Sequence, residues 1–326
     1  MMPGQRLPIA RYHLLFRATN DLHLPEYAGS LLRGQFGAAL KRTVCMTGLK
    51  QCAACPLLRT CAYPAIFETP APLQHTLQKF SSVPNPYVIE PPPFGARLVA
   101  SGDTVSLGVV LFGRALSQLP LVVYSFHRAF RQGLGKRRAR AELADVLIET
   151  SGQGRSIWDP HVQRIQPHIA ELVVPSFSDV TSATLRISTP LRLQNQGRAL
   201  GPDELRPRTL ITAIMRRASL ILDIHAGMSG FVKNPTDLAL QANALKDTQD
   251  LRWRDWRRYS SRQRQEMALG GVMGEWKLAG PLTELAYWLW LGQWLHAGKN
   301  ATMGLGRYEV TFTHANDNLA DLRTHL

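Results

Sequence analysis

The chain has 326 residues, 45% of them hydrophobic, enough for two domains with cores of their own. Lys and Arg number 38 against 24 Asp and Glu, and a formal net charge of +14 attracts a polyanion, nucleic acid before an acidic membrane surface. The most apolar helical run, Leu282 to Leu295, is too short to span a bilayer and carries Glu284 and Gln293, while Leu7 to Phe16 is broken by Arg11 and His13 and is no signal-peptide core. A cytoplasmic protein with no membrane partner is expected.

Pro8 to Arg17 is predicted as a strand. A helix is predicted from about Leu24 to Arg42, since Tyr27, Leu31, Leu32, Phe36 and Leu40 recur near i, i+4 spacing. A Cys-rich loop, Cys45 to Cys61, follows. Next comes a connector holding Pro84, Pro86 and Pro91 to Pro93, predicted to run extended over the surface. Arg97 to Leu111 reads as a hairpin turning at Ser101-Gly102-Asp103, Leu116 to Phe130 as a helix and Arg140 to Ile148 as a strand.

The second half repeats the order. Thr184 to Leu193 reads as a strand, and Asp203 to His225 as a helix capped by Asp203 and closed by Gly227. Leu238 to Trp256 and Met267 to Leu278 read as strand-rich, Pro281 to Ala297 as a helix and Gly306 to Thr313 as the last strand. Leu111-Phe-Gly, a helix and Gly133-Leu-Gly-Lys-Arg parallel Leu278-Ala-Gly, a helix and Gly304-Leu-Gly-Arg. An internal duplication of a β-α-β-β-α-β unit accounts for this, with domains expected at 1–172 and 173–326.

All four cysteines fall within 17 residues, as Cys45-x6-Cys52-x2-Cys55-x5-Cys61. In a cytoplasmic chain such a cluster favours metal over disulfides, and four thiolates satisfy tetrahedral zinc. An iron–sulfur cluster takes the same ligands, and four free cysteines on a loop is the plain alternative. A four-thiolate zinc leaves no position for water, so its expected role is structural.

The run His296-Ala-Gly-Lys-Asn-Ala-Thr-Met-Gly-Leu-Gly-Arg-Tyr308 places Gly298, Gly304 and Gly306 around Lys299 and Arg307. Exposed N–H groups of such a loop, with the two cations, suit a phosphate. The spacing is neither a P-loop nor a dinucleotide fingerprint, so no small-molecule substrate or nucleotide cofactor is expected. Residues 252 to 264 hold six arginines interleaved with Trp253, Trp256 and Tyr259. On a strand, Arg252, Arg254, Trp256 and Arg258 share one face. Arginine grips phosphate bidentately and stacks on bases, which makes Arg254, Arg258 and Arg262 candidate RNA contacts. Lys136 and Arg137, beside the first glycine turn, form a second basic run; both basic runs also read as solvated surface, and the tryptophans as core.

Arg258-Tyr-Ser-Ser-Arg-Gln263, Leu269-Gly-Gly-Val-Met-Gly274 and the loop from His296 to Tyr308 resemble the C-terminal signature of CRISPR-associated RAMP endoribonucleases, which process precursor CRISPR RNA. Leu32-Arg-Gly-Gln-Phe-Gly37, Cys61-Ala-Tyr63, Phe67-Glu68 and Gly133-Leu-Gly135 are similar to that family in the N-terminal half. Met303 stands where the pattern has an aromatic. The resemblance implies an α+β protein of two tandem ferredoxin-like (RRM-like) domains, with the Cys-rich loop inserted in the first. RNA then lies against the glycine loop and between the domains. It implies cleavage without a metal or other cofactor: the ribose 2′-OH attacks the adjacent phosphate, giving a 2′,3′-cyclic phosphate and a 5′-OH. Such chemistry needs a base, an acid and cations, and histidine suits the first two. Two positions stand open for it: His296 beside Lys299, and His23 with Tyr27 four residues on. His296 also reads as a helix-terminal residue that bonds a carbonyl and positions the loop. The implied partner is CRISPR repeat RNA, with other CRISPR effector subunits a further one. A non-catalytic RNA-binding subunit of an effector complex and an unrelated DNA-binding scaffold are the competing readings.

Overall fold

A computed structural model describes residues 3–73, 83–135, 137–150, 152–260 and 265–315, with side chains of 257–268 excepted. The described elements of the N-terminal half are β1 (Ile9–Ala18), β2 (Leu22–Leu24), α1 (Gly29–Val44), α2 (Ala62–Phe67), β3 (Tyr87–Glu90), β4 (Arg97–Val99), β5 (Thr104–Phe112), α3 (Leu119–Gln132), β6 (Ala141–Thr150) and β7 (Gln153–Ser156). The C-terminal half holds β8 (Val180–Leu191), α4 (Pro207–Ala226), α5 (Pro235–Asn243), β9 (Lys246–Arg254), β10 (Arg257–Ser260), β11 (Gln265–Ala268), β12 (Gly271–Ala279), α6 (Thr283–Leu295) and β13 (Tyr308–His314).

The N-terminal sheet has the order β3-β5-β1-β6-β7, antiparallel throughout, with Tyr12 facing Val109 on one side and Ile148 on the other. The C-terminal sheet has the order β9-β12-β8-β13. With β7 set aside, second strand, third, first, fourth is the spatial order in both, so each half is one ferredoxin-like βαββαβ fold. One compact unit takes Pro8–Leu172 with Leu220–Ser229, and the other takes Val173–Ser219 with Gly230–Leu326 and the N-terminal residues up to Leu7.

Strand alternation builds the N-terminal core. Tyr12, Leu14 and Phe16 of β1 are fully buried on one face, while Arg11, His13 and Arg17 fall on the other. Phe16 stacks on Phe130 of α3 at 3.9 Å, and Phe36 of α1 stacks on Phe126 at 4.7 Å. The Leu32-to-Gly37 motif is packing chemistry: a Cβ on Gly37 would stand 2.2 Å from the Phe67 ring, and the Arg33 guanidinium lies 4.3 Å from that ring's centroid. In the C-terminal unit Gly292 of α6 serves the same end. It makes room for the Tyr308 hydroxyl, which donates to the Leu289 carbonyl at 2.6 Å. No helix among the described residues is long and apolar enough to cross a membrane.

Four expectations need correction. The Pro-rich connector is not wholly a surface segment: between Pro86 and Pro91 the residues Tyr87–Glu90 form a buried strand paired to β5. Strand β4 precedes the expected turn, but it pairs with β2 rather than folding onto β5. Helix α4 starts at Pro207; Asp203 sits in a preceding 3-10 turn whose Gly201 N–H donates to Glu204 Oε2 at 3.0 Å. Residues Pro235–Asn243 are helical, not strand, with proline at a first-turn position where its missing N–H costs nothing.

Candidate functional site

The glycine loop follows α6 and folds back on the end of β8. The Lys299 N–H donates to the Arg192 carbonyl at 3.0 Å, and Gly306 N–H to Pro190 at 3.0 Å. Thr189 bridges the loop: its hydroxyl donates to the Gly304 carbonyl at 2.8 Å and accepts from Arg307 N–H at 2.9 Å. The Met303 and Gly304 N–H groups donate within the loop, to Asn300 and Ala301. Gly298, Gly304 and Gly306 all have positive φ, and a Cβ on Gly306 would lie 1.8 Å from the Ala297 carbonyl oxygen. These backbone donors are spent on the protein itself. The expected cradle of exposed N–H groups is therefore absent at residues 299, 303, 304, 306 and 307. What the loop presents outward is the exposed Lys299 side chain and the half-buried Arg307.

His296 ends α6 with φ 56° and ψ 149°, a conformation unusual outside glycine. Its side chain is 0% exposed, and Nδ1 lies 3.2 Å from the Leu305 carbonyl. A base for a ribose hydroxyl must reach it. In this conformation the His296 ring is enclosed, and its contact with Leu305 links the two ends of the loop. Tyr27 is likewise inside, 2% exposed, its ring 5.6 Å from that of Phe94.

His23 has the opposite placement. It lies on the short strand β2 opposite Leu98, and it is exposed. Arg137, 114 residues away in sequence, donates from Nη1 to His23 Nε2 at 2.6 Å. The first glycine turn makes this possible: Leu134 and Ala139 exchange backbone hydrogen bonds of 2.7 and 3.1 Å, closing the loop that carries Arg137. An imidazole beside a guanidinium sets a group that can take a proton next to a cation at one surface point. Lys136 lies outside the described residues.

The basic stretch forms an edge. β9 is the outer strand of its sheet, and its register sets Arg254 opposite Gly271 and Arg252 opposite Met273, both arginines exposed. The strand stops at Arg254 and resumes as β10, paired with β11, so the alternation expected through Arg258 is interrupted at Asp255 and Trp256. Trp253 is 37% exposed and donates to Asp255 Oδ1 at 2.9 Å, whereas Trp276 is fully buried. Arg258 lies on β10, whose side chains are not described, and Arg262 lies outside the described residues.

Two structural contributors escaped the sequence reading, Thr189 and Arg217. Arg217 of α4 donates from Nε to the Leu295 carbonyl at 2.7 Å and so caps the C-terminus of α6. No local pattern marks either residue, because their partners lie 115 and 78 positions away.

Known proteins agree with this architecture. Residues 7–170 match the family model described as the AF_1859 N-terminal domain, and residues 185–308 match that of the CRISPR-associated endoribonuclease Cas6. An uncharacterized protein of Archaeoglobus fulgidus is 26% identical over 137 residues, 42% of this chain and 45% of that protein, so the match spans less than half of that relative. Among solved structures, a Cas6 product complex aligns with TM-score 0.55 and 18% identity over 93% of this chain and 100% of its own. Thermus thermophilus Cas6 aligns with TM-score 0.52 and 17% identity over 94% and 99%. A chain of a partial Cas6-RT-Cas1–Cas2 complex aligns with TM-score 0.54 and 14% identity over 94% of this chain and 47% of that one.

Tandem ferredoxin-like folds, the second closed by a glycine loop, are the architecture this chain shares with those Cas6 structures. Residues 185–308 belong to the family of the CRISPR-associated endoribonuclease Cas6, and the chain as a whole is similar in fold to solved Cas6 proteins.

Proposed function

We propose that this protein binds CRISPR repeat RNA and cuts it to mature guide RNA, with residues 1–172 and 173–326 as its two domains and the cytoplasm as its place of work. The Cas6 family match and the charge of +14 support an RNA substrate. The observation that carries the reading to cleavage is the exposed His23 imidazole held 2.6 Å from Arg137.

In this reading His23 Nε2 takes the proton of the 2′-OH as that oxygen forms its bond to phosphorus. The P–O5′ bond breaks, and O5′ takes up one proton, which balances the one removed. The products are a 2′,3′-cyclic phosphate and a 5′-OH. Arg137 leaves the ring to meet the charge that builds on the non-bridging oxygens, where a guanidinium stabilises a phosphorane by charge-assisted hydrogen bonds. Lys299, Arg307, Arg254 and Arg252 hold the RNA backbone, and His296 keeps the glycine loop in shape. No step draws on a metal ion.

The test is incubation of the full chain with end-labelled repeat RNA in excess EDTA. A single cut ending in a cyclic phosphate is expected. Tight binding without a cut favours a second reading, a non-catalytic RNA-binding subunit of an effector complex. That reading has its own support in the complete burial of His296. Neither cut nor binding, across several repeats, overturns both.

A further inference from the structure

The four cysteines play no part in the chemistry above, yet they share one cavity. Cys45, Cys52, Cys55 and Cys61 all line one small cavity of about 20 Å³, together with Lys41, Thr47 and Tyr63. That is room for roughly one water-sized body. All four are free thiols, and all are half-buried.

The backbone around them is arranged toward the sulfurs. Cys45 ends α1, its own N–H donating to the Lys41 carbonyl at 2.9 Å. The backbone N–H groups of Gly48 and Thr47 and the Thr47 hydroxyl lie in hydrogen-bonding reach of the Cys45 sulfur. Thr47 Oγ1 also lies 3.5 Å from Cys55 Sγ. Cys52 and Cys55 bracket a 3-10 turn closed by the Cys55 N–H on the Cys52 carbonyl at 3.0 Å, and Cys61 forms the start of α2. Four sulfurs lining one small cavity supply the full ligand set of a tetrahedral zinc.

Among the described residues the segment is held by one 3-10 turn and by side-chain bonds from Lys41 to the Lys50 carbonyl and from Arg59 to the Ala71 carbonyl. It runs 17 residues between α1 and α2, a length at which a loop without secondary structure needs a reason to be ordered. Two of its large apolar residues face water, Met46 at 88% and Leu49 at 43% exposure, while Cys52 and Cys61 rest against the N-terminal core.

We propose that Cys45, Cys52, Cys55 and Cys61 bind one structural zinc ion, tying the loop between α1 and α2 to the core. No three His, Cys, Asp or Glu among the described residues converge closely enough to grip an ion in this conformation. Binding therefore contracts the cavity, drawing four half-buried sulfurs to about 2.3 Å from the metal. The small volume favours one ion over a cluster of irons and sulfides. Nothing in this proposal depends on what RNA the protein meets.

The test begins with the full chain expressed with zinc and purified under reducing conditions without chelator. Elemental analysis is expected to find about one zinc per chain. Expression in cobalt-supplemented, zinc-poor medium is expected to give a coloured protein with thiolate-to-cobalt charge-transfer and intense tetrahedral ligand-field bands. Cys52→Ser is expected to lose the metal and to lower the melting temperature. Should that variant fail to fold, the cobalt spectrum of the unaltered protein still decides. A metal-free preparation with four titratable thiols overturns the proposal, as does iron with an equal amount of acid-labile sulfide.

Discussion

The two Gly-Leu-Gly turns share positive φ at both glycines and are used differently. Gly133 and Gly135 have φ of 97° and 65°, Gly304 and Gly306 of 86° and 70°, and the leucine between each pair is buried, Leu134 at 2% and Leu305 at 0% exposure. The first turn closes on itself through Leu134 and Ala139 and carries Arg137 out to an exposed histidine. The second turn is bound to β8 through Pro190, Thr189 and Arg192, and encloses its histidine completely. A shared backbone device thus presents charge in one unit and fixes a loop in the other. The stronger sequence motif is the more structural of the two.

The largest expected effect breaks this contrast where it concerns chemistry. His23→Ala should slow single-turnover cleavage of repeat RNA by about 10²–10⁴-fold, the usual worth of a general base, with RNA affinity changed far less. Wild-type rate in that variant, alongside a folded but inactive His296→Ala, would reverse the roles of the two turns. Next comes Gly306→Ala. A side chain at φ 70° costs about 1–2 kcal/mol by itself, and a contact of 1.8 Å with the Ala297 carbonyl forces the loop to move. A loss near 3 kcal/mol in denaturant unfolding is expected, or failure to accumulate as soluble protein. A variant as stable as the parent would show the second turn to be slack.

Much of the fold was legible because both halves repeat one order of elements. β1, α3, β6, β8, α6 and β13 each announce themselves by period or by flanking glycine. Tyr87–Glu90 did not: its prolines on either side read as a connector, although prolines beside a short edge strand are allowed because no ladder N–H is needed there. Pro235–Asn243 was hidden by apolar residues that also fit a strand, and Pro235 with Asp237 in the first turn was the signal passed over. Residue types at the site were legible and their exposure was not. Nothing local tells that His296 is buried or that Arg137 reaches His23, since both follow from strands and turns assembled over more than a hundred residues.

A smaller effect separates the two sheets. In the N-terminal sheet Arg11 lies 3.1 Å from Glu149 Oε1 and 3.1 Å from Glu90 Oε2, and His13 Nε2 lies 3.2 Å from Glu149 Oε2. Burial pushes the Glu149 carboxyl up, but the His13 hydrogen bond and the Arg11 charge outweigh it and hold it below the usual carboxylate range. A depressed folded pKa adds stability above the unfolded value, and that stability is lost as pH falls through the folded one. Glu149→Gln should therefore cost about 1–2 kcal/mol at neutral pH and narrow toward zero in acid. Melting curves of both proteins from neutral to acid pH check this. A constant difference across the range would mean the carboxylate charge is not what matters.

The smallest effect sharpens the comparison of turns most directly. Gly135 has nearly the φ of Gly306, 65° against 70°, but no atom lies within 4 Å of where its Cβ would be. Alanine there meets only the left-handed penalty of about 1–2 kcal/mol, partly offset because alanine loses about 0.4–1 kcal/mol less unfolded-chain entropy on folding. The net loss for Gly135→Ala should stay near or below about 1 kcal/mol. Measured beside Gly306→Ala, it isolates what close packing adds to a shared conformation. Equal losses at the two positions would assign the whole cost to φ and leave the bracing by β8 without energetic weight, whereas a large gap makes the second turn rigid by contact and the first free to move with Arg137.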